Sequence, residues 1–185
     1  MKTIKILSLL AIAAITLNSC SSDDDAPPEE INEEETITTM TITLVPDGGG
    51  TTITLQSQDL DGDGPNAPEI TISGNLTAST TYSGSVVLLN ETESPAENIT
   101  EEVEEESKDH QFIYVTTGSI ESVTYDDEDG DGNPVGLEFT VVTGAAGNAT
   151  LAATLRHEPK KPNDGTLADA GGETDFTETF SLTVE

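Results

Sequence analysis

The chain has little of what most catalytic and sugar-binding sites are built from. It contains no tryptophan, three tyrosines and four phenylalanines, which leaves few residues for an aromatic glycan platform. Cys20 is the one cysteine, and this excludes an internal disulfide framework. The sequence has no Gly-x-Ser-x-Gly turn and no phosphate-binding loop. Together these absences predict a protein that is not an enzyme.

Basic residues are also scarce. Six lysines and arginines stand against 36 aspartates and glutamates, which gives a formal net charge of −30. A chain of this charge repels nucleic acid and anionic membrane surfaces, so nucleic acid is excluded as a partner. The partners that the charge favours are divalent cations and a basic protein surface.

The first 20 residues have the features of a secretory leader. Two lysines precede an apolar run, residues 6–17, that is too short to span a bilayer. The Leu-Asn-Ser-Cys sequence of residues 17–20 resembles the lipobox of bacterial lipoproteins. The resemblance implies that residues 1–19 are removed and that Cys20 carries a lipid anchor. An ordinary cleaved signal peptide is the alternative.

An acidic segment follows the cysteine. Residues 21–25, Ser-Ser-Asp-Asp-Asp, resemble the surface-export tag of Bacteroidetes lipoproteins, which implies an outer-membrane lipoprotein exposed at the cell surface. Acids and prolines leave residues 20–36 with nothing to bury, so we expect a disordered tether there. Loss of the leader leaves four basic residues against 36 acids, a charge of −32. Residues 37–185 are then expected to form a single domain.

Apolar residues alternate with polar ones, often threonine, through most of this domain. A period of two residues predicts antiparallel strands with one buried face. The strands fall into two similar units of four, about residues 38–106 and 110–185, each containing a glycine turn and an acidic loop. With a final strand they make about nine. We therefore predict an all-β antiparallel sandwich, with a closed β-barrel as the alternative.

One segment between the two units is expected to be helical. Ser94, Pro95 and Glu97 have the spacing of an N-cap, a first-turn proline and a capping-box acid. Ile99 and Val103 follow at helical spacing within an acidic run. The segment therefore predicts one short acidic helix, with an acidic strand extension as the alternative.

The two acidic loops are candidate calcium sites. A calcium loop needs oxygen ligands at alternating positions, a glycine at the sixth and a bidentate acid at the twelfth. The second loop meets these terms, whereas the first has isoleucine at its twelfth position. The alternative is a strand connection in which aspartates cap backbone N–H groups. The candidate ligands are Asp127, Asp129, Asp131, Asn133 and Glu138 in the second loop and Asp59, Asp61 and Asp63 in the first.

Two weaker features concern histidines and cations. His110 and His157 occupy non-equivalent places in the two units, so we expect ordinary surface or strand-end histidines rather than a metal or haem site. Arg156, Lys160 and Lys161 join His157 in a basic cluster. This cluster is suited to docking an acidic surface of a neighbour or of the chain itself, with a plain charged loop as the alternative.

The whole mature chain resembles small flavobacterial surface lipoproteins. The resemblance lies in the stretch at residues 59–68 and in the Ile-Thr-Glu-Glu segment at residues 99–102 before His110-Gln111. Such proteins often carry the label "type 1 periplasmic binding fold", which implies a larger α/β fold, whereas this chain has a β pattern. We expect a non-catalytic structural or adhesion domain anchored in the outer membrane and stabilised by calcium. The alternative is a small-ligand binding lipoprotein with a cavity in a β-barrel.

Overall fold

The computed structural model describes residues 36–62 and 64–185, which form two antiparallel sheets and two short helices. The strands of the first half are β1 (Thr39–Pro46), β2 (Ile53–Gln58), β3 (Glu69–Ile72) and β4 (Thr81–Leu89). The strands of the second half are β5 (His110–Gly118), β6 (Ile120–Tyr125), β7 (Glu138–Thr143), β8 (Gly147–His157) and β9 (Glu173–Val184). The helices are α1 (Ile99–Glu105) and α2 (Leu167–Ala170).

Six strands form the larger sheet and three form the smaller one. The order is β3-β2-β1-β4-β7-β6 in the larger sheet and β5-β8-β9 in the smaller. The sheets do not close into a barrel, so the predicted all-β sandwich is confirmed and the barrel alternative is wrong. No helix in the described ranges is long and apolar enough to cross a membrane.

The two units of four strands share most of their pairings. In the first unit the spatial order β3-β2-β1-β4 is that of a Greek key. In the second unit β5 pairs with β8 and β6 pairs with β7, as their counterparts do. The difference lies at the turn of Gly118, where the chain leaves the smaller sheet and β6 begins in the larger one. The second unit is therefore divided between the two sheets.

The core lies between the sheets because each strand presents alternate side chains to it. Residues of both sheets belong to one continuous apolar cluster. The fully buried residues include Met40, Ile42 and Leu44 of β1 and Leu151, Ala153 and Leu155 of β8. This is the periodicity that the sequence predicts for these strands.

Aromatic side chains join the sheets where the chain passes from β5 to β6. The Tyr114 hydroxyl donates a hydrogen bond to the Gly136 carbonyl at 2.6 Å, and the Tyr125 hydroxyl donates to the Phe112 carbonyl at 2.9 Å. The rings of Tyr114 and Phe139 lie 4.4 Å apart, centroid to centroid. Buried tyrosines of this kind contribute apolar area while their hydroxyls stay satisfied.

Two local predictions need correction. The two-residue alternation of Ile70 and Ile72 predicts that both lie on a buried face, but their strand β3 is at the edge of the larger sheet and Ile70 is 42% exposed. The acidic helix exists and buries Ile99 and Val103 as expected, but its N-cap is Asn98 rather than Ser94. The reason is a pair of backbone hydrogen bonds between Asn90 and Glu97, which closes the loop that contains Ser94 and holds Glu97 in a β-bridge, so that the helix begins after it.

Several predictions fall outside the described residues. The signal peptide (1–19), the lipidated Cys20 and the tether up to residue 35 belong to this part of the chain. Strand β1 begins at Thr39, shortly after the predicted end of the tether at residue 36.

The close approach of Gly84 to Phe139 predicts a stability defect on substitution. The two residues are register partners on β4 and β7, and a Cβ at position 84 would lie 2.6 Å from the Phe139 ring. We expect Gly84→Ala to lower the free energy of unfolding in urea by about 1–3 kcal/mol through overpacking. Gly48→Ala is the control, since a Cβ there meets nothing within 4 Å. Equal stabilities of the two variants would contradict this packing.

Candidate metal centre

The three strands of the smaller sheet bring three ligand-type side chains to one end. His110 is the first residue of β5, and His157 is the last residue of β8. The two are direct register partners. Each lies in phase with the core residues of its own strand, Phe112 in β5 and Leu155 in β8. At this end of the sheet the buried face therefore carries two histidines in place of apolar residues.

A β-bulge in β9 supplies the third side chain. Leu155 lies opposite Phe176, but the next residue of β8, Arg156, lies opposite Thr174. Asp175 is the extra residue at this shift of register. Bulges re-aim a side chain that regular alternation would point elsewhere. Here the result is a carboxylate whose side chain is 1% exposed and faces both histidines.

The three polar groups converge closely. Oδ2 of Asp175 lies 3.8 Å from Nε2 of His110 and 3.7 Å from Nδ1 of His157. The three atoms lie within 4.8 Å of one another. The two imidazole rings meet edge to face with centroids 4.6 Å apart. The histidine side chains are 0% and 9% exposed, so the whole group is shielded from solvent.

The ring of His110 is oriented by a contact of Nδ1, the nitrogen that faces away from Asp175. Nδ1 lies 3.2 Å from the backbone carbonyl of Glu106, which can only accept a hydrogen bond. A proton on Nδ1 satisfies this contact, and Nε2 is then the ring nitrogen on the side of Asp175. Burial lowers the pKa of His110, against the opposing effect of the Glu106 carbonyl, and this favours the neutral ring. Metal-binding histidines are commonly oriented in this way by a carbonyl on the other nitrogen.

His157 gives a further indication. Its Nδ1 is buried and has no hydrogen-bond partner among the residues that the structure describes. Buried polar atoms are nearly always hydrogen-bonded, so such an atom needs an explanation. A cation held between this nitrogen and the Asp175 carboxylate would supply one.

The spacing suits a metal ion better than a direct hydrogen bond. Both nitrogen–oxygen distances exceed hydrogen-bond length. Two ligand atoms bound to a tetrahedral zinc ion at about 2.0–2.1 Å lie about 3.3–3.4 Å apart. The two nitrogen–oxygen distances are therefore a few tenths of an ångström longer than in a zinc site, and the two nitrogens lie within 4.8 Å of each other. Two imidazoles and one carboxylate are ligands for zinc, iron, copper or nickel.

Comparisons of the chain with family models, curated proteins and solved structures find no match. The assignment of this centre therefore depends on the geometry of its own residues.

A loop that we name the strap, residues 158–172, connects His157 to the start of β9 and carries α2. The guanidinium of Arg156 holds its far end by donating hydrogen bonds to the carbonyls of Gly171 and Gly172. Gly172 has a φ of 70°, and a Cβ there would lie 2.2 Å from the carbonyl oxygen of His157. Only glycine fits this return of the strap against His157.

The second acidic loop uses its carboxylates to hold its own backbone. Asp127 accepts hydrogen bonds from the backbone N–H groups of Gly136, Leu137 and Glu138 at 2.6, 2.7 and 3.1 Å. The Glu138 side chain is exposed on the outer face of β7. These contacts are the turn-capping arrangement that the sequence left open as the alternative.

Asp129 is the most heavily engaged acid of this loop. Its carboxylate accepts N–H groups of Asp131 and Asn133, both at 2.9 Å, and the ammonium of Lys161 at 3.2 Å. Desolvation raises the pKa of Asp129, but these donors outweigh it and lower the pKa to about 2. Asp131 forms an exposed ion pair with Lys108 at 2.9 Å. No three acids of this loop bring ligand atoms within 4.8 Å of one another in the described chain.

The described aspartates of the first acidic loop accept fewer backbone hydrogen bonds than those of the second. Asp59 accepts the N–H of Asp61 at 3.2 Å, and Asp61 accepts the side-chain amide of Asn66 at 2.6 Å. Asp63 lies outside the described residues. The loop borders an open cavity of about 280 Å³, and the second loop borders one of about 240 Å³. Calcium binding at either loop stays a prediction.

The basic cluster contacts this chain's own acids and carbonyls. Lys160 pairs with Asp169 at 2.8 Å, and Lys161 pairs with Asp129 at 3.2 Å. The predicted surface placement is wrong for both histidines, since His110 is 0% and His157 is 7% exposed. Their strand-end positions are as expected. The signal that could have placed both histidines inside is their phase: His110 is two residues before Phe112, and His157 is two residues after Leu155.

The role of Asp127 predicts a loss of stability that does not depend on calcium. Asparagine keeps one acceptor oxygen, so Asp127→Asn leaves backbone N–H groups poorly satisfied. We expect a loss of about 1–3 kcal/mol in urea denaturation in EDTA. Asp131→Asn is the control, because its exposed pair with Lys108 contributes about 0–1 kcal/mol. A variant at position 127 as stable as this control would contradict the capping role.

The calcium prediction is tested with the wild-type chain. Binding at either loop raises the melting temperature in millimolar calcium relative to EDTA, because the ligand binds the folded state. Identical melting curves in the two buffers would exclude stabilisation by calcium.

Proposed function

We propose that this chain is a lipid-anchored, non-catalytic surface protein whose β domain binds one divalent transition-metal ion. The ligands are His110, His157 and Asp175. The observation that carries the proposal is the convergence of two imidazole nitrogens and one carboxylate oxygen from the three strands of the smaller sheet. Their burial adds support, because buried imidazole and carboxylate groups need compensating interactions and a bound ion supplies one.

The donor set favours a transition metal over calcium. Calcium takes six to eight oxygen ligands, whereas this centre offers two nitrogens and one carboxylate. Imidazole binds zinc, copper, iron and nickel, and the order of affinity for such ligands rises toward copper. We commit to zinc as the occupant on the basis of its tetrahedral ligand spacing, with a fourth position for water or another donor.

Burial is the reason for proposing a binding role rather than catalysis. The ligand side chains are 0%, 9% and 1% exposed, so a substrate does not reach the centre in this conformation. A metal bound there links the ends of β5, β8 and β9. It would therefore stabilise the smaller sheet, in the way that structural sites contribute folding free energy.

The anchor is the second part of the proposal. The lipobox resemblance at Cys20 supports lipidation, and the acidic segment after it supports a tether over residues 20–36, shortly before β1 begins at Thr39. A chain this acidic is repelled by anionic lipid headgroups, which suits a domain held away from the membrane. The same charge attracts cations toward the domain, including the metal proposed for the centre.

Metal binding is tested by titrating the chelator-treated protein with zinc. We expect one equivalent to bind and the melting temperature to rise, by an amount that corresponds to about 2.7 kcal/mol at 100 times the dissociation constant. His157→Gln and Asp175→Asn each remove one ligand, and we expect affinity to fall by more than about 100-fold. Glu173→Gln, on the exposed start of β9, is the matched control. Circular dichroism checks that each variant is folded.

Two results would contradict the proposal. One is a wild-type chain that takes up no zinc and melts at the same temperature with and without it. The other is affinity in the two ligand variants that equals that of the Glu173→Gln control.

Lipidation is tested by labelling the full chain with radioactive palmitate in a bacterial host. We expect label and membrane association in the wild type and neither in Cys20→Ala, because several acyl chains are needed for stable anchoring. Ser22→Ala is the control. Release of unlabelled wild-type protein into the medium would support the ordinary signal peptide instead.

A further inference from the structure

A metal ion can reach a buried centre only if some part of the chain moves, and the strap is placed to be that part. This inference rests on the proposed metal-binding function. The strap begins directly after His157 and ends three residues before Asp175. Two of the three ligands therefore sit at its two ends, and a movement of the strap changes access to both. The third ligand, His110, begins a strand paired with β8.

A buried ion pair connects the strap to the second acidic loop. Nζ of Lys161 donates to the Ser107 carbonyl at 2.5 Å and to Oδ2 of Asp129 at 3.2 Å. The Lys161 and Asp129 side chains are 6% and 1% exposed. Burial lowers the pKa of Lys161 although Asp129 opposes it, while the same contact helps to lower that of Asp129. We treat the pair as charged because the ordinary lysine pKa lies far above neutrality.

The turn whose carbonyls accept hydrogen bonds from the strap also contacts the ligand His110. Residues 106–109 form the turn between α1 and β5, and the Glu106 carbonyl faces Nδ1 of His110. The next carbonyl, of Ser107, accepts Lys161. The carbonyl of Asp109 accepts the backbone N–H of Glu158 at 2.6 Å. One short turn therefore holds both a ligand and the near end of the strap.

The other lysine of the strap provides a natural contrast. Lys160 pairs with Asp169 within the strap itself, and its side chain is 62% exposed. That pair does not connect the strap to the rest of the domain. Exposed pairs of this kind contribute little, whereas removal of one partner from a buried pair leaves an uncompensated charge.

We propose that the strap is the gate of the metal centre and that the Lys161–Asp129 pair is its latch. Opening of the latch releases the strap from the second acidic loop while its two ends stay attached, and the resulting movement of the strap exposes His157 and Asp175 and lets the ion enter or leave. The pair therefore sets the rate of metal exchange, while the three ligands set the coordination.

The test measures metal release from the full-length protein loaded with Co²⁺, whose visible absorption reports the ligand set. Excess EDTA is added in a stopped-flow instrument, and decay of the absorption gives the release rate. We expect Lys161→Met to release cobalt at least about 10-fold faster than wild type, with an unchanged starting spectrum. Lys160→Met is the matched control, and we expect its rate to stay within about twofold of wild type.

Asp129→Asn provides a second route to the same latch. This variant removes the carboxylate charge that Lys161 contacts. Because both substitutions remove the same interaction, we expect the double variant with Lys161→Met to release cobalt no faster than the faster single variant. Hydrogen exchange of the strap amides gives a readout that does not depend on the metal. We expect faster exchange across residues 158–172 in Lys161→Met than in Lys160→Met.

The outcomes distinguish the latch proposal from the metal-binding function on which it rests. A wild-type chain that gives no cobalt spectrum overturns the metal function and the latch together. A normal spectrum with equal release rates in wild type, Lys161→Met and Asp129→Asn overturns the latch and leaves the metal function standing. Faster release with an altered starting spectrum also overturns it, because Lys161 would then act on coordination rather than on access.

Discussion

The structure depends on strand register in the smaller sheet. Side chains alternate with a period of two residues, so once Leu151, Ala153 and Leu155 occupy the core, His157 must lie on the same side. The pairing of β5 with β8 then places His110 against it. The bulge in β9 adds Asp175 at the same level. A slip of one residue in either pairing would disperse the three groups and bury polar atoms at the wrong places.

The basic residues of the described chain lie near the same end of the smaller sheet as the histidines. Four basic residues lie in the described chain, and each of them contacts this region. Lys108 and Lys161 hold the second acidic loop, while Arg156 and Lys160 hold the strap. In so acidic a protein the cations are placed where backbone and loop must be fixed around the histidines. The remaining surface keeps its negative charge, which favours solubility and attracts cations.

Much of the fold could be predicted from the sequence because its signals are local. Alternation along the strands of Met40 and Leu151 identified the core face, and Ile99 with Val103 identified the helix. The exposure of Ile70 could not be predicted, since it depends on β3 being an edge strand. The passage of the chain from the smaller to the larger sheet at Gly118 could not be predicted either. A hairpin within one sheet and a crossing between two sheets would both show the same alternation of apolar and polar residues. The centre was missed because a bulge at Asp175 depends on pairing between strands rather than on local sequence.

The central claim is that two histidines and one aspartate from three strands hold one metal ion. X-ray absorption at the zinc edge, on protein loaded with one equivalent, tests it most directly. The account predicts a first shell of nitrogen and oxygen at about 2.0–2.1 Å, with outer-shell scattering from two imidazoles that falls to one in His157→Gln. An all-oxygen shell without imidazole scattering, unchanged in that variant, would contradict it.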